Sequence, residues 1–365
     1  MKNLIIAASL VLMAGTATTH AQQTSRLTAT KANEYGLIYT LPRTEVAITI
    51  AACKTVKTPG EFAKYAIKYL GTKPVLQPSV EWEITGVVIA PEAVADAGEK
   101  YLVTLKGGNG TFITVTDQGF PLAINDADYD GAYSSPALPE AVAPEPTILE
   151  SPEARQAMTP EMIQSRSSAK RAELAAAKIY ELRSSRGDII SGQADAMPSD
   201  GEAMKVALAR IDRQEAALTA MFTGTEQTSV EVRTYTLTLP ADSVGSVRTV
   251  VARLSALDGL VDASDLSGAP IYATVTPTSV GQLPVNEKGV EKSFPKGGVA
   301  YRIPGTADIT VSFRGETLAS ESIDVAQYGV VFGLDPAIFT SRKSTGYLHF
   351  NPLTGAIREV GTLEE

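Results

Sequence analysis

The chain has 365 residues, 32 basic and 41 acidic side chains, a formal charge of −9, one cysteine and two histidines. An acidic balance with no basic run excludes phosphate backbones and anionic lipid surfaces as partners, so no nucleic acid is expected. One cysteine excludes an internal disulfide, and so few histidines exclude multi-histidine zinc sites.

Residues 1–21 read as a secretory signal. Lys2 is the basic start, Leu4 to Met13 the apolar core, and Thr19-His20-Ala21 the small-residue cleavage site, with the cut after Ala21. The apolar run is too short to span a bilayer and no second run follows it, so no membrane insertion is expected. Cys53 lies far beyond the cut, so the site is no lipobox and the product is a soluble periplasmic or secreted protein.

Residues 22–125 predict an N-terminal mainly β domain. "YGLIYTLP" and "EVAITIAACKTV" are rich in β-branched and aromatic residues, and Cys53 reads as a small buried hydrophobe in the second run. Thr58-Pro59-Gly60-Glu61 predicts a capping box, Phe62, Tyr65, Ala66 and Tyr69 recur at helical spacing, and Gly71 supplies the stop. That helix is expected to cover a sheet. "VEWEITGVVI" alternates, and "YLVTLKGGNGTFITVTDQGFPLAIN" reads as a meander turning at Gly107–Gly110 and Asp117–Gly119. No helix start follows the "GGNG" glycines, so a phosphate cradle is not the reading.

Residues 126–157 are rich in proline, alanine and acid, and read as a linker. Asp126, Asp128, Asp130 and Gly131 match the opening of a calcium loop. The twelfth position is Ala137, where a bidentate glutamate is needed, so a solvated acidic linker is the preferred reading.

Residues 158–224 predict an antiparallel helical hairpin with coiled-coil-like packing. The first helix starts at Thr159-Pro160 and is closed by Gly187, which makes Arg186-Gly187-Asp188 a helix end and not an adhesion motif. Ala169, Ala172, Ala176 and Ile179 form its seam. Ser199-Asp200-Gly201-Glu202 caps the second helix, which carries Met204, Leu208, Ile211, Leu218 and Phe222. Arg213, Gln214 and Glu215 then sit on or beside the packing stripe. A glutamate there is costly unless paired, so Glu215 is expected either to meet Lys170 or Arg171, brought near by a turn at residues 193–194, or to sit at an edge open to water.

Residues 225–365 predict a C-terminal mainly β domain. "TSVEVRTYTLTLP" alternates, "SVGSVRTVVARLSALDGL" reads as a short helix ending near Gly259, Arg314-Gly315 as a tight turn, and Asn351–Gly355 as the turn of a last hairpin. His349 falls at the end of a strand and reads as a packed or surface side chain.

"YGLIYTLPRTEVAITI" with "TPGEFAKYAIKYLG", "KIYELRSSRGDII", "DGEAMKVALARIDRQEAALTAMFTGT", "DGLVDASDLSGAPIYATV" and "FNPLTGAIREV" resemble the domain-of-unknown-function family four-eight-three-one. The resemblance runs over roughly residues 33–361 and implies an exported protein of a Bacteroidetes-type, Gram-negative bacterium. It implies no activity, cofactor or catalytic residue.

The expected fold is therefore α+β: two mainly antiparallel β domains flanking a long antiparallel helical hairpin. No residue is singled out as catalytic, cofactor-binding or metal-ligating. The expected function is a non-catalytic periplasmic binding or scaffold protein that docks an envelope protein through the hairpin. The alternative is a carboxylate-dependent hydrolase of cell-wall or dietary glycans, which needs two facing acids. The single tryptophan, Trp82, argues against a sugar platform.

Overall fold

A computed structural model describes residues 23–26, 37–104, 112–197, 201–241, 245–339 and 345–363. The signal segment 1–21, the "GGNG" turn and the Ser199-Asp200 half of the second capping box lie outside the described residues.

Three antiparallel sheets carry the fold. The first has the order β1 (Gln23–Arg26), β3 (Ser79–Thr104), β2 (Leu37–Thr58), β6 (Thr225–Thr238). The second runs β11 (Glu316–Leu334), β10 (Val299–Phe313), β9 (Ala269–Ser279), β7 (Val247–Ser255), β8 (Gly259–Asp262). The third runs β13 (Ile357–Leu363), β12 (Thr345–Phe350), β5 (Pro121–Ile124), β4 (Ile113–Val115).

At about 3.3 Å per residue, β2 with 22 residues is about 70 Å long. That length lets it serve two cores. Val46, Ile48 and Ile50 face Leu254, Ile271, Val275, Ile309 and Val325 of the second sheet. Tyr39 and Leu41 pack instead with Ile124, Val299, Leu348 and Phe350 around the third sheet. The strand passes from one core to the other where its register with β3 slips, between Thr40 and Pro42. β10 does the same between Ile303 and Gly305, around Pro304. A proline has no N–H for a ladder, so bulges are where it is tolerated in a long strand.

The expected layout of two β domains on either side of a helical hairpin is corrected by this topology. The protein is mostly β, 46% strand and 23% helix. β6 follows the helices in the chain, yet it pairs with β2 from Glu45↔Thr238 to Thr58↔Thr225. β12 pairs with β5, a strand from the other end of the chain. Periodicity along the sequence marks each strand, but pairing over such separations is set by which faces fit together.

Five α-helices lie among the described residues. α1 (Ala66–Leu70) follows a 3₁₀ turn and ends at Gly71 in the left-handed conformation, as expected. Its start differs: Thr58 is the last residue of β2, and Glu61 pairs with Arg171 in place of reaching back to a cap. α2 (Pro152–Ala157), α3 (Pro160–Gln164) and α4 (Ser168–Ser191) are capped by Ser151, Thr159 and Ser167, and each hydroxyl accepts the backbone N–H three residues on. The single helix expected from Thr159 is thus broken at residues 165–167. α4 runs straight through Gly187 and stops at Gly192, where φ is 75°. α5 (Gly201–Thr223) packs against it. The helix expected before Gly259 is instead the β7–β8 hairpin, because Val247, Thr249, Val250 and Val251 favour the extended backbone.

The acidic segment 126–147 has no helix or paired strand of its own, but it is anchored. Val142 exchanges two backbone hydrogen bonds with Val230 on the open edge of β6, at 3.0 and 2.9 Å. A proline-bearing strap of this kind blunts a sheet edge that would otherwise pair with another chain.

Candidate functional site

The lower halves of α4 and α5 carry their buried residues: Ala172, Ala175, Ala176, Ile179 and Leu182 on one, Ala217, Leu218, Ala220 and Phe222 on the other. They close over Phe62 and Ala66, with Met162 from α3, and the Phe62 and Phe222 rings lie 5.3 Å apart. The alanines let the backbones approach, and Leu218 and Ile179 each contribute about 1.5–3 kcal/mol by burial. Above that level the pair changes character. Residues 183–191 and 201–216 contain no buried side chain. At this free end Ile190 is 67% exposed, Val206 69% and Met197 43%.

The polar residues between the helices form ion pairs. Arg183 Nε lies 2.6 Å from Glu215 Oε1, and Arg186 Nη1 lies 3.0 Å from Asp212 and 3.7 Å from Glu215. Glu215 is therefore paired, as its place on the packing stripe requires, but not with Lys170 or Arg171. Lys170 pairs with Glu173, and Arg171 with Glu61. The turn lies later than expected because α4 continues past Gly187. Arg213 reaches Glu153 of α2 at 3.2 Å and holds its carboxyl below the usual range, after the larger effect of Glu153's own backbone N–H.

A second cluster surrounds His349 in β12. Its Nε2 lies 2.7 Å from Asp126 Oδ2, and its Nδ1 faces Glu359 of β13 at 3.4 Å. Tyr129 stacks on the ring with centroids 4.0 Å apart and planes 4° from parallel, and Tyr347 lies 4.9 Å away. The His349 hydrogen bond, then the N–H of Asp128, lowers the Asp126 pKa. Glu359 is lowered first by the Tyr347 hydroxyl, which donates to it at 2.6 Å. Tyr129 donates to the Phe350 carbonyl at 3.0 Å, and Arg358 donates to Tyr129 Oη and the Ala132 carbonyl. Both imidazole nitrogens face carboxylates. The arrangement clamps segment 126–132 onto the third sheet.

The three aspartates of the calcium-like motif do not converge. Asp126 turns to His349, and Asp130 Oδ1 accepts from Ala132 N at 2.8 Å. No group of three or more His, Cys, Asp and Glu side chains is arranged to hold a metal ion among the described residues. Cys53 is a half-buried free thiol in β2, not a fully buried one. A cleft of about 450 Å³ between β11 and the 134–136 and 351–354 loops is lined by Glu321 and Asp324. These stand three apart on a regular stretch of β11, so their side chains leave opposite faces of the sheet and do not make the facing pair of a glycosidase.

The exposed Ile190, Met197 and Val206 carry no signal in the apolar period alone, since the same pattern marks buried stripes. The Asp126–His349 contact spans more than two hundred residues and has no local signature.

These features define a mostly β protein whose paired helices α4 and α5 have no buried side chain at residues 183–191 and 201–216. No helix among the described residues is long and apolar enough to cross a membrane. Residues 35–358 match the family described as domain of unknown function DUF4831, so the chain belongs to that family. No curated protein and no solved structure matches it.

Proposed function

We propose that the protein is exported by a signal cleaved after Ala21 and serves in the cell envelope as a non-catalytic binding or scaffold protein. It docks a protein partner with the free end of α4 and α5. The observation that carries this reading is the exposure of Ile190 and Val206 on helical turns that bury nothing of their own, with Met197 exposed in the loop between them. Exposed apolar side chains ringed by charges are the usual composition of a docking patch. The paired state of Arg183, Arg186, Asp212 and Glu215 supports a structural role for the polar residues around it. β1 starts at Gln23, so a cut after Ala21 leaves the first strand whole.

Two experiments test it. Cell fractionation with N-terminal sequencing is expected to find an envelope protein beginning at Gln22; an unprocessed cytosolic protein would refute export. Affinity capture from the envelope with the Ile190→Asp, Val206→Asp double variant is expected to lose the partner that the wild type retains. Unchanged capture would refute docking by this end.

A further inference from the structure

Under the export reading, on which this inference rests, the cut after Ala21 makes Gln22 the first residue of the mature chain. Gln22 lies outside the described residues, and its chemistry follows from its place at the new terminus. Before the cut its nitrogen is an amide with no basic lone pair. After the cut it is a primary amine on the same residue as a side-chain amide. An α-amine has an ordinary pKa of about 7.7–8.0, so about 10–20% of it is neutral and nucleophilic near neutral pH. Only Cα, Cβ and Cγ separate this nitrogen from the amide carbon Cδ. Closure therefore makes a five-membered ring, and no encounter between separate molecules has to be arranged.

The fold puts this terminus directly before a strand that is short and at the end of the chain. β1 starts at Gln23, has four residues and is the outermost strand of the first sheet. It pairs with β3 from Gln23↔Thr104 to Arg26↔Tyr101. On that stretch of β3, Tyr101 and Val103 are buried in the core around the third sheet, and Leu102 is buried between them. An aminopeptidase grips the free α-ammonium of its substrate and removes one residue at a time. A few such steps from Gln22 would take away β1 and leave the backbone of β3 open at Tyr101–Thr104.

We propose that Gln22 is converted to pyroglutamate once the signal is removed, and that the closed terminus protects β1 from stepwise trimming. The α-amine nitrogen attacks Cδ of its own side chain. The N–Cδ bond forms, the Cδ–Nε2 bond breaks, and Nε2 leaves as ammonia with the proton that the amine gives up. No oxidant, reductant or second substrate takes part. The product is a neutral lactam, so the terminus loses both its positive charge and the group an aminopeptidase grips. The change stops at Gln22 and leaves the ladder from Gln23 to Arg26 as it is.

The test is the mass of the protein isolated from the cells that make it. It is weighed intact before digestion, because peptides that begin with glutamine also close during handling, and its first peptide is then sequenced by tandem mass spectrometry. The chain is expected to begin at Gln22 and to weigh about 17 Da less than its sequence, the mass of one ammonia. Gln22→Ser has no side-chain amide to close and is expected to show its full mass. Purified aminopeptidase is expected to strip residues from Gln22→Ser and to leave the wild type whole. A wild-type chain that begins at Gln22 with its full mass overturns the proposal and leaves the export reading standing. A chain that keeps residues 1–21, or begins elsewhere, overturns both. Equal trimming of the wild type and Gln22→Ser overturns the protective role.

Discussion

At the scale of single residues, polar groups in this protein are settled by pairing. Asp126 shows the sign of the effect. Its folded pKa is lowered, first by the His349 hydrogen bond, so the stability it adds is present above its ordinary value of about 3.9 and is lost as pH falls through the folded value. Asp126→Asn should therefore melt about 1–3 °C below the wild type near neutral pH, and the gap should close in acid. A gap that persisted at low pH would mean that the carboxylate charge is not what holds the strap. Glu215 gives the second test. It is 14% exposed and lies on the packing stripe, where a leucine of similar size would lose the ion pair but gain burial. Glu215→Leu should leave the melting temperature unchanged or raise it, within about 2 °C. Calorimetry that found a large drop would show the ion pair to be a main support of the helices.

At the scale of elements, turns were the most legible feature because glycine has few substitutes at positive φ. Gly71 ends α1 at φ 67°, and Arg314-Gly315 turns β10 into β11 with φ 51° and 90°. Both are plain in the sequence. Starts and lengths were less so. Thr58-Pro59-Gly60-Glu61 has the composition of a capping box, yet ladder pairing of Thr58 with Thr225 outweighs it. Gly187 has the look of a helix end, but its cost inside a helix is only about 1 kcal/mol, and α4 absorbs it. That single extension moves the turn and gives Glu215 a different arginine. The two halves of the helix pair should also differ in energy. Leu218→Ala should cost about 2–5 kcal/mol in urea unfolding, because Leu218 is fully buried. Val206→Ala should stay within about 0.5 kcal/mol. Equal costs would mean that the free end is packed in the folded protein.

At the scale of the whole molecule, β2, β3 and β10 each cross from one core to another, so the sheets are joined through shared strands. Two ties reinforce the crossing. Gln327 of β11 pairs its side-chain amide with both backbone groups of Thr44 in β2, at 2.9 and 2.8 Å. Buried Arg302 joins Asp96 of β3 to the Ala326 carbonyl. Beside them Gly329 lies so close to β10 that a Cβ would be 2.0 Å from the Ile303 carbonyl oxygen. Gly329→Ala should cost about 1–3 kcal/mol or more, and should lower the stability of the whole body together, as followed by amide exchange in both cores. Loss confined to one core would show that the two unfold apart. None of this was legible beforehand, because Thr44 and Gln327 announce nothing until the fold brings them together. The candidate site was legible in part: the helices and the need to pair Glu215 follow from spacing, while the bare free end and the His349 clamp depend on long-range packing.

The most direct test of the central claim is photo-crosslinking in intact cells, with a crosslinking amino acid placed at Val206 on the free end and, as a control, at exposed Lys64 near the base. The docking account predicts one discrete crosslinked envelope protein from Val206 and none from Lys64. No adduct at Val206, or the same adducts from both positions, would contradict it.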